Sequence, residues 1–262
     1  MAGHCLPEAG RYVRPSLDAH PLTRTCGAPS ASAKKNHSLY TVCMIKLVAF
    51  LGNYGTEYEH TRHNVAWQFA SQLPFYNKLN FQQKFKGDYA VVETSTLAQW
   101  FAETGMYARK DGSAQPVPEG GPDKIYFLKP LTYMNLSGES IGELARFYKI
   151  EPSEVLVIHD ELELPIGTVS LKWSGGLGGH NGLRSTKAVL GTADFWRLRF
   201  GLTKPVDRDI ADYVLSAFSS DERIILSQVF NSTNELFARL LLSNDANMQR
   251  LLQGWSKKKI IQ

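Results

Sequence analysis

Five glycines, a leucine, a histidine and an asparagine fill the eight positions from Gly175 to Gly182 (GGLGGHNG). Glycine loses more conformational freedom on folding than any other residue, so a dense run needs a reason, such as positive φ or close backbone approach to a ligand. The spacing is not a dinucleotide fingerprint, because counting from Gly176 the third required glycine falls on Asn181, and no Gly-Lys-Ser/Thr closes a phosphate loop. A bare surface turn would not need an imidazole beside an amide. Three other segments gather polar groups that a core would reject. They are Gly52-Asn53-Tyr54-Gly55 with Thr61-Arg62-His63-Asn64, Lys129 to Gly138 (KPLTYMNLSG), and His159-Asp160-Glu161-Leu162. A histidine that titrates near neutrality, oriented by an aspartate, can activate water as a general base. Asparagine side chains carry both donors and an acceptor, which suits holding an ester carbonyl or a peptide backbone. A lone histidine is more often structural than catalytic; four polar islands rich in Asn and His shift that balance.

Several chemistries are disfavoured. There is no Gly-x-Ser-x-Gly elbow for a serine esterase and no His-Glu-x-x-His. His60 and His63 lie three apart without a convincing third ligand, so no metal is expected. Cys5, Cys26 and Cys43 all precede Met44, so the body of the chain has no disulfide framework, thiolate metal site or thiol nucleophile. No cofactor is expected, and a reducing cytoplasm suits this cysteine usage.

These residues must be positioned by a real core, and 262 residues with 43% hydrophobic and 21% charged side chains are enough to build one. The net charge of +4 is concentrated at one end. Arg11, Arg14, Arg24, Lys34 and Lys35 outweigh Glu8 and Asp18 there, leaving +1 from Met44 onward. Overall basicity is therefore weak support for an RNA partner, although a local patch is compatible. Residues 1–43 show no apolar period and no signal-peptide core. They read as a disordered extension, with a transit peptide or sequence upstream of a start at Met44 as alternatives. No stretch approaches the roughly 18 apolar residues of a membrane helix, so no membrane partner is expected.

From Met44 the pattern alternates strands and helices. Lys46–Leu51 (KLVAFL) and Val155–His159 (VLVIH) read as buried strands, and Thr168–Trp173 and Phe195–Leu202 as further strands. In the last, Trp196, Leu198 and Phe200 alternate with Arg197 and Arg199. Asn64 is expected to cap a helix carrying Val65, Phe69 and Leu73. Ser137 is expected to cap one carrying Ile141, Leu144, Ala145 and Tyr148, and helices follow over Leu183–Leu190 and about Ser220 to Leu242. The expectation is an α/β fold: a single-domain three-layer sandwich over 44–262, with a mixed, mostly parallel central sheet flanked by helices. Residues 103–124 read as a loop insertion. Asn53, Asp160 and the glycine run each follow an expected strand, where open α/β sheets form their binding crevice.

The four islands, quoted as LVAFLGNYGTEYEHTRHN, KPLTYMNLSG, HDELELPIG and GGLGGHNGL, resemble the bacterial-type peptidyl-tRNA hydrolase family in the family's own order, from Met44 to about Leu242. The resemblance implies a metal-independent, monomeric enzyme. It would cleave the ester between a peptide and the 3′ end of tRNA, returning tRNA to translation. It implies His63 as catalytic base and Asp160 as its orienting partner. Asn53 and Asn135 would hold the peptide and terminal nucleotide, Asn181 would position substrate or water, and Tyr58 would sit at the crevice. Lys172 and Arg199 would grip phosphates, for which a solvated strand face is the plain alternative. Tyr54, Glu163, Ile166 and Thr203 replace residues usual in the family, and the resemblance assigns His180 no role. An RNA-binding protein that has given up catalysis on the same fold, or a hydrolase of small aminoacyl or amide substrates, are the competing readings.

Overall fold

The central strands are apolar on both faces, and that composition buries them between two helical layers. In the computed structural model, which describes residues 44–117, 119–242 and 245–261, the strands are β1 (Leu47–Phe50), β2 (Gln82–Lys84), β3 (Gly87–Glu93), β4 (Lys124–Pro130), β5 (Val155–Glu161), β6 (Thr168–Trp173), β7 (Trp196–Gly201) and β8 (Lys258–Lys259). They form one sheet in the order β2-β3-β4-β1-β5-β7-β6-β8. The middle four run parallel, and the strands on either side join antiparallel.

Helices cover both faces: α1 (Val65–Ser71), α2 (Thr94–Glu103), α3 (Ser137–Tyr148), α4 (Asn181–Leu190), α5 (Ile210–Val214), α6 (Ser220–Leu241) and α7 (Asp245–Gly254). Alternation along β1 divides the core. Val48 and Phe50 pack with Phe69 of α1, Leu97 and Phe101 of α2 and Phe237 of α6. Leu47, Ala49 and Leu51 pack with Ile141 and Leu144 of α3 and Leu183 of α4. The expected sandwich is therefore present, with its parallel strands at the centre. The expected disordered extension, 1–43, lies outside the described residues. Within 103–124, an antiparallel bridge between Ala108 and Ala114 closes a small hairpin tip.

Three local expectations are corrected. Asn64 precedes α1 but makes no side-chain cap bond; its amide is diverted to the Asn53 peptide, as described below. Ser137 is the first residue of α3 rather than its cap, and its hydroxyl has no hydrogen-bond partner among the described residues. The solvated strand face given as the alternative for Lys172 and Arg199 does not hold for Arg199, which is buried, as is Arg197 two residues before it. Arg197 donates to the carbonyls of Gly175, Gly176 and Ala193.

The route of the glycine run also differs from the expected strand-to-crevice turn. Strand β6 is antiparallel to β7, so it ends at the edge of the sheet opposite the ends of β1 and β5. The loop must climb back. Arg197 holds Gly175 and Gly176 near its start, and α4 then starts beside Asp160. Gly178 and Gly179 adopt φ of 57° and 76° on the way, a conformation glycine adopts at little cost.

Candidate active site

The loops after β1, β4 and β5, with the start of α4, converge on a cavity of about 670 Å³. Its wall includes Asn53, Tyr58, His63, Asn135, Asp160, His180 and Asn181. Six of these are the residues proposed from the motifs; His180 is the addition. Lys172 and Arg199 lie outside this wall. Arg199 is held by Glu161, which does line the cavity, at 3.1 Å, and by Ser170 Oγ at 2.7 Å.

Asp160 is the electrostatic centre. It is buried at the end of β5, and its Oδ1 sits 2.8 Å from His63 Nδ1 and 2.9 Å from His180 Nε2. An ionised carboxylate only accepts, so each nitrogen must bring a proton. Residue His180 caps α4, its Nδ1 accepting from the backbone N–H groups of Gly182 and Leu183 at 3.1 and 3.3 Å. That fixes it as the Nε2–H tautomer. His63 in turn donates through Nδ1, leaving Nε2 as its free lone pair. Burial alone would raise the Asp160 pKa, but the two imidazoles outweigh it and hold the group well below the usual carboxylate range. For His63, burial pushes the pKa down, yet the charge and hydrogen bond of Asp160 prevail and the net shift is upward from 6.5.

These shifts tie stability to pH. The His63 contribution is present below the unfolded pKa of about 6.5 and fades as pH rises through its raised folded value. The Asp160 contribution is present above about 4 and fades as pH falls through its lowered folded value.

His159, next in the chain, is fully enclosed and kept neutral, first by burial and then by the field of His180. Its Nδ1 lies 2.6 Å from the Asp160 carbonyl oxygen, so it braces the strand end rather than the cavity.

Around this centre the asparagines are held by backbone. Asn53 Oδ1 accepts from the Met134 N–H at 2.7 Å. The Asn53 peptide is clamped by Asn64, which accepts from its N–H at 2.8 Å and donates to its carbonyl at 2.9 Å. With Oδ1 occupied, Asn53 presents its Nδ2 donor to the cavity. Asn135 follows Met134 on the same turn and is exposed. Tyr58 and Tyr133 meet edge to face, with ring centroids 6.4 Å apart. At Gly182 a side chain would meet Met134 Sδ at 2.6 Å and Leu51 Cδ1 at 2.8 Å, so this glycine lets α4 close on the strand ends.

One wall is carried by α5. Ile210, Ala211, Val214 and Leu215 line the cavity. Arg62, directly before His63, ties this wall to the turn bearing the imidazole. It donates to Ser216 Oγ at 2.9 Å and to the Ala217 carbonyl, and pairs with Glu222 of α6 at 2.6 Å. Its guanidinium also lies 4.5 Å from the centre of the Tyr213 ring.

Sequence reasoning missed His180, Asn64 and Arg62. For His180 a signal existed, since it stands at the position before a helix where a capping side chain is wanted. Arg62 and Asn64 stand in the polar segment around His63, but nothing in the sequence points to Ser216, Ala217 and Glu222 or to the Asn53 peptide as their partners. His180→Ala should lower stability by about 1 kcal/mol through loss of the cap, read from the denaturant midpoint. It should also lower kcat roughly tenfold, the scale of one hydrogen bond to a charged group.

His63, Asp160 and His180 also place three possible metal-ligand atoms within 4.8 Å of one another; His60 is not in this group. Both nitrogens already share a proton with the same carboxylate oxygen, and a cation would have to displace both protons. The set is built for hydrogen bonding.

A buried carboxylate, an imidazole with one free nitrogen and an asparagine donor, gathered at the strand ends, form an arrangement that can activate water for hydrolysis. Comparison with known proteins narrows the class. The family model described as peptidyl-tRNA hydrolase matches residues 47–260. Peptidyl-tRNA hydrolase of Treponema pallidum (strain Nichols) is 43% identical over 220 residues, covering 83% of this chain and 97% of its own length. That of Desulfitobacterium hafniense (strain Y51) is 43% identical over 188 residues, covering 71% of this chain and 88% of its own length. The crystal structure of peptidyl-tRNA hydrolase from Acinetobacter baumannii matches with a TM-score of 0.65 at 28% identity, over 84% of this chain and 99% of that one. The chain belongs to the peptidyl-tRNA hydrolase family.

Proposed function

We propose that the protein hydrolyses the ester joining a peptide, or an N-blocked amino acid, to the 3′ end of tRNA, with His63 as general base. The observation that carries this reading is the His63–Asp160 contact at 2.8 Å on the wall of the cavity. It commits Nδ1 to the carboxylate and leaves Nε2 for water.

In the reaction, Nε2 takes a proton from water as the water oxygen bonds to the ester carbonyl carbon. Asp160 stabilises the imidazolium that forms. The negative charge on the tetrahedral intermediate is met by the Asn53 Nδ2 donor, aimed by the Met134 and Asn64 bonds. Collapse breaks the bond to the ribose oxygen, which takes the proton back from His63 and leaves as the 3′ end of tRNA. Asn135 and Asn181 line the same cavity and suit contacts to the peptide and terminal nucleotide; Tyr58 offers a ring face. Lys172 and Arg199 lie on adjacent strands and supply positive charge for the phosphates. The Lys172 pKa is lowered, first by burial and next by Arg199 and Arg197, so an added anion would be welcome there.

Release of N-acetylated amino acid from tRNA tests the reading directly. Turnover is expected and should be the same with and without EDTA, because no step calls on a cation. A protein that binds tRNA and releases nothing would instead be a binding module. The acid limb of kcat/KM should have its inflection above pH 6.5, the direction in which Asp160 moves the His63 base. An inflection below 6.5 would exclude His63 in that role.

A further inference from the structure

Three consecutive lysines lie at the sheet edge nearest Lys172: Lys257 in the turn before β8, and Lys258 and Lys259 in the strand itself. In register, Thr168 faces Lys259 and Val169 faces Lys258 across the β6–β8 pair. The approach to β8 is fastened too: Leu171 N–H donates to the Trp255 carbonyl at 2.7 Å, and Ser170 Oγ donates to that of Ser256. Lys257, Lys258 and Lys259 are all exposed. Elsewhere, Lys46, Lys78, Lys86, Lys124 and Lys204 each pair with a glutamate. Lys84, Lys110, Lys129, Lys149 and Lys187 form no ion pair among the described residues, but they stand singly and are not consecutive along one strand edge. Among the described residues Lys172, Lys257, Lys258 and Lys259 form no ion pair. Lys258 instead lies 5.1 Å from the centre of the Trp255 ring. Antiparallel partners share a face, so Lys259 projects on the Thr168, Ser170 and Lys172 side of the sheet and Lys258 on the Val169 side, both exposed at the outermost strand. This is unneutralised charge of one sign on a rigid edge, and it fits a polyanion with regularly spaced charges.

Position selects the polyanion. Lys259 lies level with Thr168, at the same end of the sheet as Asp160, and three strand spacings from β5. At about 4.8 Å per spacing that is about 14 Å. A stacked strand advances about 3.4 Å per nucleotide, so an ester held at His63 and a phosphate at β8 would be about four nucleotides apart. That is the length of the unpaired 3′ end of a tRNA, beyond which the duplex and its two phosphate rows begin.

We propose that Lys257, Lys258 and Lys259 form, with Lys172, a rim that grips the phosphate backbone of the tRNA acceptor duplex while its 3′ end enters the crevice. The proposal rests on the tRNA substrate assigned above. It adds a contact surface beyond the Lys172 and Arg199 pair.

The test is binding of deacylated tRNA to the full chain, followed by fluorescence anisotropy between 50 and 300 mM salt, which needs no turnover. Combined Lys257→Gln, Lys258→Gln and Lys259→Gln substitution should weaken binding about tenfold at low salt and reduce the log–log salt slope by about two. Lys259→Gln alone should reduce the slope by about one, and it guards against misfolding of the triple variant. Triple substitution to Arg should restore both quantities. With N-acetylaminoacyl-tRNA, KM should rise and kcat hold. Unchanged affinity and slope in both Gln variants would overturn the proposal. So would loss of binding to phosphatidylserine vesicles with tRNA binding intact, which would make the rim a membrane contact. If the wild-type chain binds tRNA through these lysines yet releases no amino acid, the rim stands and the hydrolase reading falls.

Discussion

His63→Ala is expected to lower kcat for release of N-acetylated amino acid from tRNA by at least about a hundredfold, the scale of losing a general base. Among the described residues, the substitution removes the one imidazole of the cavity wall whose Nε2 is left free. His180 is locked by its cap, and His159, whose Nε2 also lacks a partner, is buried against the Asp160 carbonyl away from the wall. Neither can substitute for it. KM should change far less, since the asparagine and tyrosine side chains of the cavity remain. The folded state should survive: His63 sits on a short 3₁₀ turn whose backbone is held by Arg62 and Asn64. Single-turnover rates at saturating enzyme separate these effects, and activity within a few-fold of wild type would remove His63 from the mechanism.

Asp160→Asn should be nearly as damaging and should leave a second signature. Geometry is conserved, but the negative charge that offsets burial at His63 is gone. Desolvation then dominates, and the His63 pKa should fall from above 6.5 to below it. The acid limb of kcat/KM should therefore move to lower pH even as the plateau drops by about a hundredfold or more, because the imidazolium loses its partner in the transition state. A purely structural role for Asp160 would lower activity equally at every pH, so the displacement of the limb is the deciding measurement. The amide oxygen left at the Oδ1 position carries no charge and accepts more weakly from the two histidines that share it. Denaturant unfolding should register the loss of these charge-assisted bonds as about 1–3 kcal/mol.

Much of this is legible in the amino-acid sequence. The continuous apolar runs around β1 and β5 have few alternatives to a covered strand, and the polar islands stood out because a core would reject them. What failed to show were side-chain destinations. Asn64 had the residue type and position of a helix cap, yet its amide closes on the Asn53 peptide eleven residues earlier. Arg197 and Arg199 alternated with apolar neighbours as an exposed strand face would. In the fold, however, the glycine loop supplies carbonyls for one and Glu161 a carboxylate for the other. The glycine run was recognised as a crevice wall, but not its path, because strand direction is a property of pairing and not of the strand's own residues.

The sequence alone determined which chemistries were available: a histidine–aspartate–asparagine site without thiols, a serine elbow or a recognisable metal motif, on an alternating α/β frame. Residue types and short-range periods suffice for that. Only the tertiary structure decided that one carboxylate oxygen is shared by two imidazoles. One of these comes from 97 residues before Asp160 and the other from 20 after. Folding also decided which of the two keeps a free nitrogen. Tautomer and pKa follow from burial and hydrogen-bond partners, and those are set by contacts that only the packed sheet brings within 3 Å.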